Sequence, residues 1–160
     1  MKQKISLMIA TFFGSGLAKY APGTFGSLAT LPLAFLMAYY FGFKGIFYSA
    51  LIVFFVGVYA VKEATKNSKE KDPGKIVIDE TAGQLTSFLL VADYLQNNLS
   101  FKAFLLYALG FALFRLFDIA KFGPVEWADT KLENAWGVML DDVFAGFFAT
   151  IVLMFFASGL

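Results

Sequence analysis

Residues 143–160, VFAGFFATIVLMFFASGL, run for eighteen positions without a charge. A run of that length and apolarity is what a helix needs to cross the hydrocarbon core of a bilayer, so this stretch constrains the fold more than any other feature. Two adjacent carboxylates, Asp141 and Asp142, stand directly before it. Ionisable groups are expensive at the edge of hydrocarbon, and their placement there points to function.

The same pattern recurs along the chain. Apolar runs occupy about 5–17, 28–41, 46–61, 80–95, 101–118 and 138–158, separated by Gly, Pro or charged segments, and each reads as a helix. The residues of 101–118 would span roughly 27 Å, close to a bilayer core, whereas 28–41 reaches only about 21 Å. The 5–17 run is shorter still and is expected to be interfacial or re-entrant. Charged residues make up 16% of the chain, well below the roughly 25% of soluble domains, and mean hydropathy is +0.68. The expected fold is therefore all-α: a polytopic integral membrane helical bundle of about five spans plus a short N-terminal helix. The basic and apolar start, MKQKISLMIATFFGSGLAKYAPG, leads into a further membrane region and is expected to be retained rather than cleaved.

Lysine placement sets the orientation. Lys2, Lys4 and Lys19 precede the second run, Lys62, Lys66, Lys69, Lys71 and Lys75 crowd the 62–75 connection, and Lys121 and Lys131 lie in 119–137. The opposite loops contribute only Lys44, with Lys102 just beyond. By the positive-inside rule the richer side is cytoplasmic. The 62–75 connection, KEATKNSKEKDPGK, reads as a solvated loop with an Asp-Pro turn. On this topology KYAPGTFGS (19–27), IVIDETAG (76–83), FRLFDIAKFGP (114–124) and WGVMLDDVFAG (136–146) all converge on the cytoplasmic layer.

Two absences narrow the chemistry. The chain has no Cys and no His, which excludes thiolate and imidazole nucleophiles, disulfides, iron–sulfur clusters and the usual zinc sites. Oxygen ligands remain, and they suit a hard cation, Mg²⁺ being the usual intracellular one. A formal net charge of +1 gives no basic surplus for a nucleic-acid partner.

Asp79 and Glu80 open the 80–95 run, and Asp141 and Asp142 open the last. Acids at a helix start cap backbone N–H groups and suit the dipole. Capping accounts for one acid per helix; two on each of two helices form a charge concentration that invites a divalent cation. Arg115, the chain's single arginine, shares a helix face with Asp118. Its planar guanidinium suits either a salt bridge or bidentate phosphate recognition. Lys121 either snorkels to the interface or adds a second positive charge for phosphate. In APGTFGSLATLPL, Ser27 is a candidate N-cap, and the turn's amides with Thr24 are candidate phosphate contacts. The turn lacks the P-loop pattern. Together these parts describe phosphoryl chemistry at the depth of a lipid headgroup.

PGTFGSL (22–28), DPGKIVIDETAG (72–83), FRLFDIAK (114–121) and WGVMLDDVFAG (136–146), in this order and at these separations, resemble the phosphatidylglycerophosphatase A family over about residues 14–147. The resemblance implies one membrane-embedded phosphatase domain over 1–160, in a bacterial inner membrane with its site facing the cytoplasm. It also implies Mg²⁺-dependent conversion of phosphatidylglycerophosphate to phosphatidylglycerol, using Asp79, Glu80, Asp118, Asp141 and Asp142. Within that scheme Asp79, Glu80, Asp141 and Asp142 are the expected metal ligands, and Asp118, with Asp141 and Asp142, the expected catalytic acids. Arg115, Lys121 and Thr24 would hold the phosphate. Attack by an aspartate in place of water is the alternative step. The sequence departs from the family pattern at KFGP (121–124), where a proline usually follows the lysine, and at NAWG (134–137), which keeps only Gly137 of a glycine-rich run. The rival functions are a phosphatase for another phosphorylated lipid, a small ion or proton transporter using membrane carboxylates, and a non-catalytic scaffold.

Overall fold

Gly42 organises the bundle. In the computed structural model, which describes residues 2–66 and 73–159, one helical stretch, α2 (Pro22–Thr65), is interrupted at Gly42 by φ 56° and ψ −138°. That conformation is open to glycine and strained for a residue with a Cβ. The chain folds back there: Gly45 packs against the Met37 carbonyl, and the two arms end beside one segment, Gly26 on Val77 and Gly57 on Ile78. The 28–41 and 46–61 runs are thus the two arms of one hairpin, and the first arm begins earlier than its apolar run, at Pro22.

The hairpin tip is held by the far end of the central segment. The Phe43 N–H, an orphan donor at the start of the second arm, donates to Asp93 Oδ1 at 2.7 Å. The Tyr39 carbonyl accepts from the Asn97 N–H at 3.1 Å. Asp93, the one acid that the lysine pattern places away from the cytoplasmic layer, is therefore a helix cap. Asp93→Ala is expected to lower stability by about 1 kcal/mol, the usual scale for a lost cap, and to leave turnover unchanged below the melting transition. Thermal unfolding in detergent beside an activity assay checks this.

The other elements are α1 (Lys2–Ala10), α3 (Ile78–Thr86), α4 (Ala92–Leu95), α5 (Phe101–Ala120), α6 (Pro124–Lys131) and α7 (Ala135–Gly159), with short 3₁₀ turns at Ser15–Leu17 and Leu89–Val91. All regular structure among the described residues is helical. Three helices, α2, α5 and α7, are long and apolar enough to cross a membrane. The nine residues of α1 span only about 13 Å; α1 packs beside the 76–78 segment, with Ala10 in one cluster with Val61, Ile76 and Met139.

The 80–95 run departs from the single helix that its hydropathy predicts. It is split into α3, a 3₁₀ turn and α4. Every residue of α3 is buried except Glu80, which is half-buried. This central post faces protein on all sides, and so carries polar and small residues, IDETAGQLT, where lipid-facing helices carry Phe and Leu. Below it Ala34, Ala38 and Ile46 of the hairpin pack on Leu85, Phe88 and Leu95, with Leu106 and Leu153 from α5 and α7. The outward faces bear exposed Phe55, Tyr59, Phe104, Leu116, Ile119 and Phe155, as a lipid-facing surface does.

Two local expectations are corrected. Ser27 is not an N-cap: α2 already begins at Pro22, and the Ser27 hydroxyl, fully buried, donates to the Gly23 carbonyl at 2.8 Å. Likewise Asp141 and Asp142 do not open α7, which begins at Ala135; a start six residues earlier puts them beyond the reach of its orphan amides. The lysine-rich connection expected over 62–75 is in part helix, since α2 continues to Thr65; its residues 67–72, with Lys69, Lys71 and Asp72, lie outside the described residues.

Candidate metal centre

The start of α3 is fixed from outside the helix. The Val77 N–H donates to the Ala10 carbonyl at 2.9 Å, and Gly16 lies against the Lys75 carbonyl. Asp79 and Glu80 therefore enter the bundle in the first turn of a pinned helix.

Asp142 reaches them because α3 and α7 touch backbone to backbone. A Cβ on Gly83 would fall 2.5 Å from the Asp142 carbonyl oxygen, and one on Gly146 would strike the Gly83 carbonyl. Such small-residue crossings let helices in membranes approach closely. As a result one carboxylate oxygen from each of Asp79, Glu80 and Asp142 lies within 4.8 Å of the others. Asp118 comes within hydrogen-bonding reach of Asp142 from α5. One turn back on α5, Arg115 Nη1 lies 2.6 Å from Asp118 Oδ2 and 4.0 Å from Glu80 Oε1. Gly23, in the first turn of α2, closes this side against Glu80 Oε1 and Arg115.

The adjacent acids of the DD pair diverge. Asp142 joins the cluster, whereas Asp141 Oδ2 turns to Lys121 Nζ at 3.3 Å; successive helical residues point about 100° apart. Lys121 Nζ also pairs with Asp129 Oδ1 at 2.8 Å. Thr24 is half-buried beside Gly23, and no hydrogen bond ties its hydroxyl to the described residues. Thus Asp79, Glu80, Asp118, Asp142 and Arg115 form one group, and Lys121 with Asp141 adjoins it. The site is graded in exposure: Asp79, Asp141 and Asp142 are buried, Arg115, Glu80 and Asp118 side chains are about one-sixth exposed, and Lys121 and Asp129 about one-third.

The electrostatics favour a cation. Four carboxylates crowd one guanidinium, and buried charges of one sign are unfavourable without a counter-ion. Glu80 Oε2 is buried with no hydrogen-bond donor among the described residues. An all-oxygen, carboxylate-rich donor set of this kind fits a hard divalent ion and lacks the nitrogen or sulfur ligands a zinc site prefers. Arg115 Nε is buried with no acceptor, as suits a guanidinium awaiting an anionic oxygen. Lys121 is charged: burial pulls its ammonium down, but Asp129 and Asp141 outweigh that and push it up.

Sequence reasoning passed over Gly23, Gly83, Gly146 and Asp129. Two of these had a legible mark. Each acid pair is followed by Ala-Gly, in DETAG and DDVFAG, which places a glycine one helical turn beyond Glu80 and Asp142 on the same face.

A family model described as phosphatidylglycerophosphatase A matches residues 8–157. The chain is 39% identical over 156 residues to a phosphatidylglycerophosphatase A of Haemophilus influenzae, covering 94% of this chain and 91% of that one. It is 32% identical over 150 residues to a protein of the same name from Escherichia coli, covering 92% and 81%. A Bacteroides thetaiotaomicron protein named putative phosphatidylinositol-3-phosphatase is 33% identical over 156 residues, covering 93% and 91%. No solved structure matches the chain.

Proposed function

This chain belongs to the phosphatidylglycerophosphatase A family, and from that premise we propose that it is a Mg²⁺-dependent membrane phosphatase releasing inorganic phosphate from phosphatidylglycerophosphate. The observation that carries the proposal is the meeting of Asp79, Glu80 and Asp142 within 4.8 Å beside Arg115, at one end of a bundle with an apolar outer face. The monoester of a lipid headgroup would meet these groups without leaving the bilayer.

Asp79, Glu80 and Asp142 are the residues that would hold Mg²⁺. When bound, the ion would polarise the phosphoryl group and neutralise charge as it develops. Arg115, from Nε, and Lys121 bind phosphate oxygens, with the Thr24 hydroxyl as a further donor. Asp118, fixed by Arg115, accepts a proton from the attacking water. The water oxygen bonds to phosphorus as the phosphorus–oxygen bond to the headgroup breaks, and the headgroup oxygen takes the proton that Asp118 received and leaves as an alcohol, so the products are phosphatidylglycerol and phosphate. Asp141 sets Lys121 at the border of the cluster. Positioning and charge neutralisation supply most of the acceleration in such transfers.

The orientation follows from charge. Lys2, Lys4, Lys19, Lys62, Lys66, Lys75, Lys121 and Lys131 sit toward the site end and Lys44 and Lys102 toward the other, which supports a cytoplasm-facing site in the inner membrane. The two arms of α2, the α3–α4 post, α5 and α7 make up about five passes, and 1–160 works as one domain. A proton or ion relay is disfavoured, because a relay needs acids spaced through the bilayer and Asp93 is engaged as a cap. A second substrate class, a phosphoinositide monoester, is favoured by the name of the Bacteroides relative.

The test is phosphate release by purified protein in detergent from phosphatidylglycerophosphate and, separately, from phosphatidylinositol 3-phosphate. Release from the first is expected to fall to background with chelator and to return with Mg²⁺. Chelator-insensitive release would remove the metal from the scheme, and preference for the inositol lipid would replace the substrate.

A further inference from the structure

Resting on the phosphatase reading above, we propose that Asp129 is a positioning residue: it holds the Lys121 ammonium at the open border of the carboxylate cluster, where that ammonium binds the phosphate monoester.

Lys121 is fixed in an unusual way. It ends α5 with φ 47° and ψ 57° and donates its N–H to the Phe117 carbonyl at 3.0 Å. Helices that end in this left-handed geometry ordinarily place glycine or asparagine there, since a Cβ is strained in it. A lysine that keeps the strained backbone indicates that its side chain is wanted at this place. The side chain is then bracketed. Asp141 Oδ2, on the buried side, is 3.3 Å from Nζ, and Asp129 Oδ1, on the open side, is 2.8 Å away.

Asp129 is carried by α6, which is seated rather than loose. Val125 and Ala128 are fully buried, and Val125 packs with Phe114, Ala145 and Ala149. The ammonium is thereby held between a helix that faces outward and a helix that carries the metal-facing acid. With Asp129 neutralised, Lys121 has one strong partner left, and the surplus of acids inward draws it toward the cluster, away from an incoming dianion. Asp129 reaches the phosphate site through its ion pair with Lys121.

The test is a double-mutant cycle on the full-length protein in detergent: wild type, Asp129→Asn, Lys121→Met and the double variant, with Asp129→Glu as the charge-retaining control. Two quantities are read. One is KM and kcat for phosphatidylglycerophosphate; the other is affinity for inorganic phosphate by titration calorimetry with Mg²⁺ present, which needs no turnover. Asp129→Asn is expected to raise KM and weaken phosphate binding about tenfold, the scale of one charge-assisted contact, with kcat within about twofold. Asp129→Glu is expected to restore both. In the Lys121→Met background, Asp129→Asn should add nothing. Full additivity of the two substitutions, or wild-type KM and phosphate affinity in Asp129→Asn, overturns the proposal. An inactive wild type whose phosphate binding still shows the coupling would overturn the substrate while sustaining the role of Asp129.

Discussion

Asp142→Asn is expected to reduce kcat for phosphate release by about 10³-fold, roughly 4 kcal/mol of transition-state stabilisation, while the protein remains folded. Asp142 is buried and is the one acid of α7 that meets both the Asp79 and Glu80 pair of α3 and Asp118 of α5. The amide keeps the volume and removes the charge, so the backbone contact with Gly83 survives while cation affinity collapses. Stability is expected to move in the opposite direction. Without metal, the wild-type cluster confines several carboxylates at low exposure, which is unfavourable; replacing one by an amide relieves this. In metal-free buffer Asp142→Asn is therefore expected to melt no lower than wild type. Added Mg²⁺ should raise the wild-type transition by binding the folded state and leave the variant unmoved. Calorimetry with and without Mg²⁺, beside the phosphate assay, reads both. A variant that keeps the Mg²⁺ shift and most of its activity would show that Asp142 does not hold the ion.

Gly146→Val is expected to abolish activity almost as completely, although it removes no chemical group. A Cβ at 146 meets the Gly83 carbonyl and the Thr86 Cβ, and because the first of these is backbone no rotamer change relieves the clash. The helices α3 and α7 must part, carrying Asp79 and Glu80 away from Asp142. Misplacement by about 1 Å is enough to cost on the order of 10²-fold in rate, and a cation needing near-ideal octahedral oxygen geometry tolerates it poorly. The matching control is Gly159→Ala, where an added Cβ meets nothing within 4 Å; its activity should equal that of wild type. Size-exclusion profiles separate a parted crossing from failure to fold. Wild-type turnover in folded Gly146→Val would mean that the α3–α7 contact does not set the cluster.

Much of this protein could be read along the chain, because hydrocarbon imposes a local rule. A backbone with no water to bond must satisfy itself within each segment, so apolar runs such as 101–118 and 143–160 announce helices by themselves. The lysine pattern carries the expectation of a cytoplasmic face, and acids beside such runs carry the expectation of chemistry. The motifs around Asp79, Asp118 and Asp142 were sufficient to point to the family that the comparisons then identified.

What the sequence left open depends on how helices turn toward one another. Asp141 and Asp142 are neighbours in the chain, yet only the packing of α7 on α3 sends one to the cluster and the other to Lys121. The run at 80–95 has the hydropathy of a span, but its neighbours enclose α3 and leave it no lipid to face. The pairing of Lys121 with Asp129 is set by where α6 seats, eight residues further along the chain. Helix formation is decided within each segment by the solvent, and so the sequence determined the elements and the chemistry available. The site is decided between segments, where a missing Cβ at Gly83 and Gly146 lets two backbones touch, and so only the tertiary structure determined which acids come together.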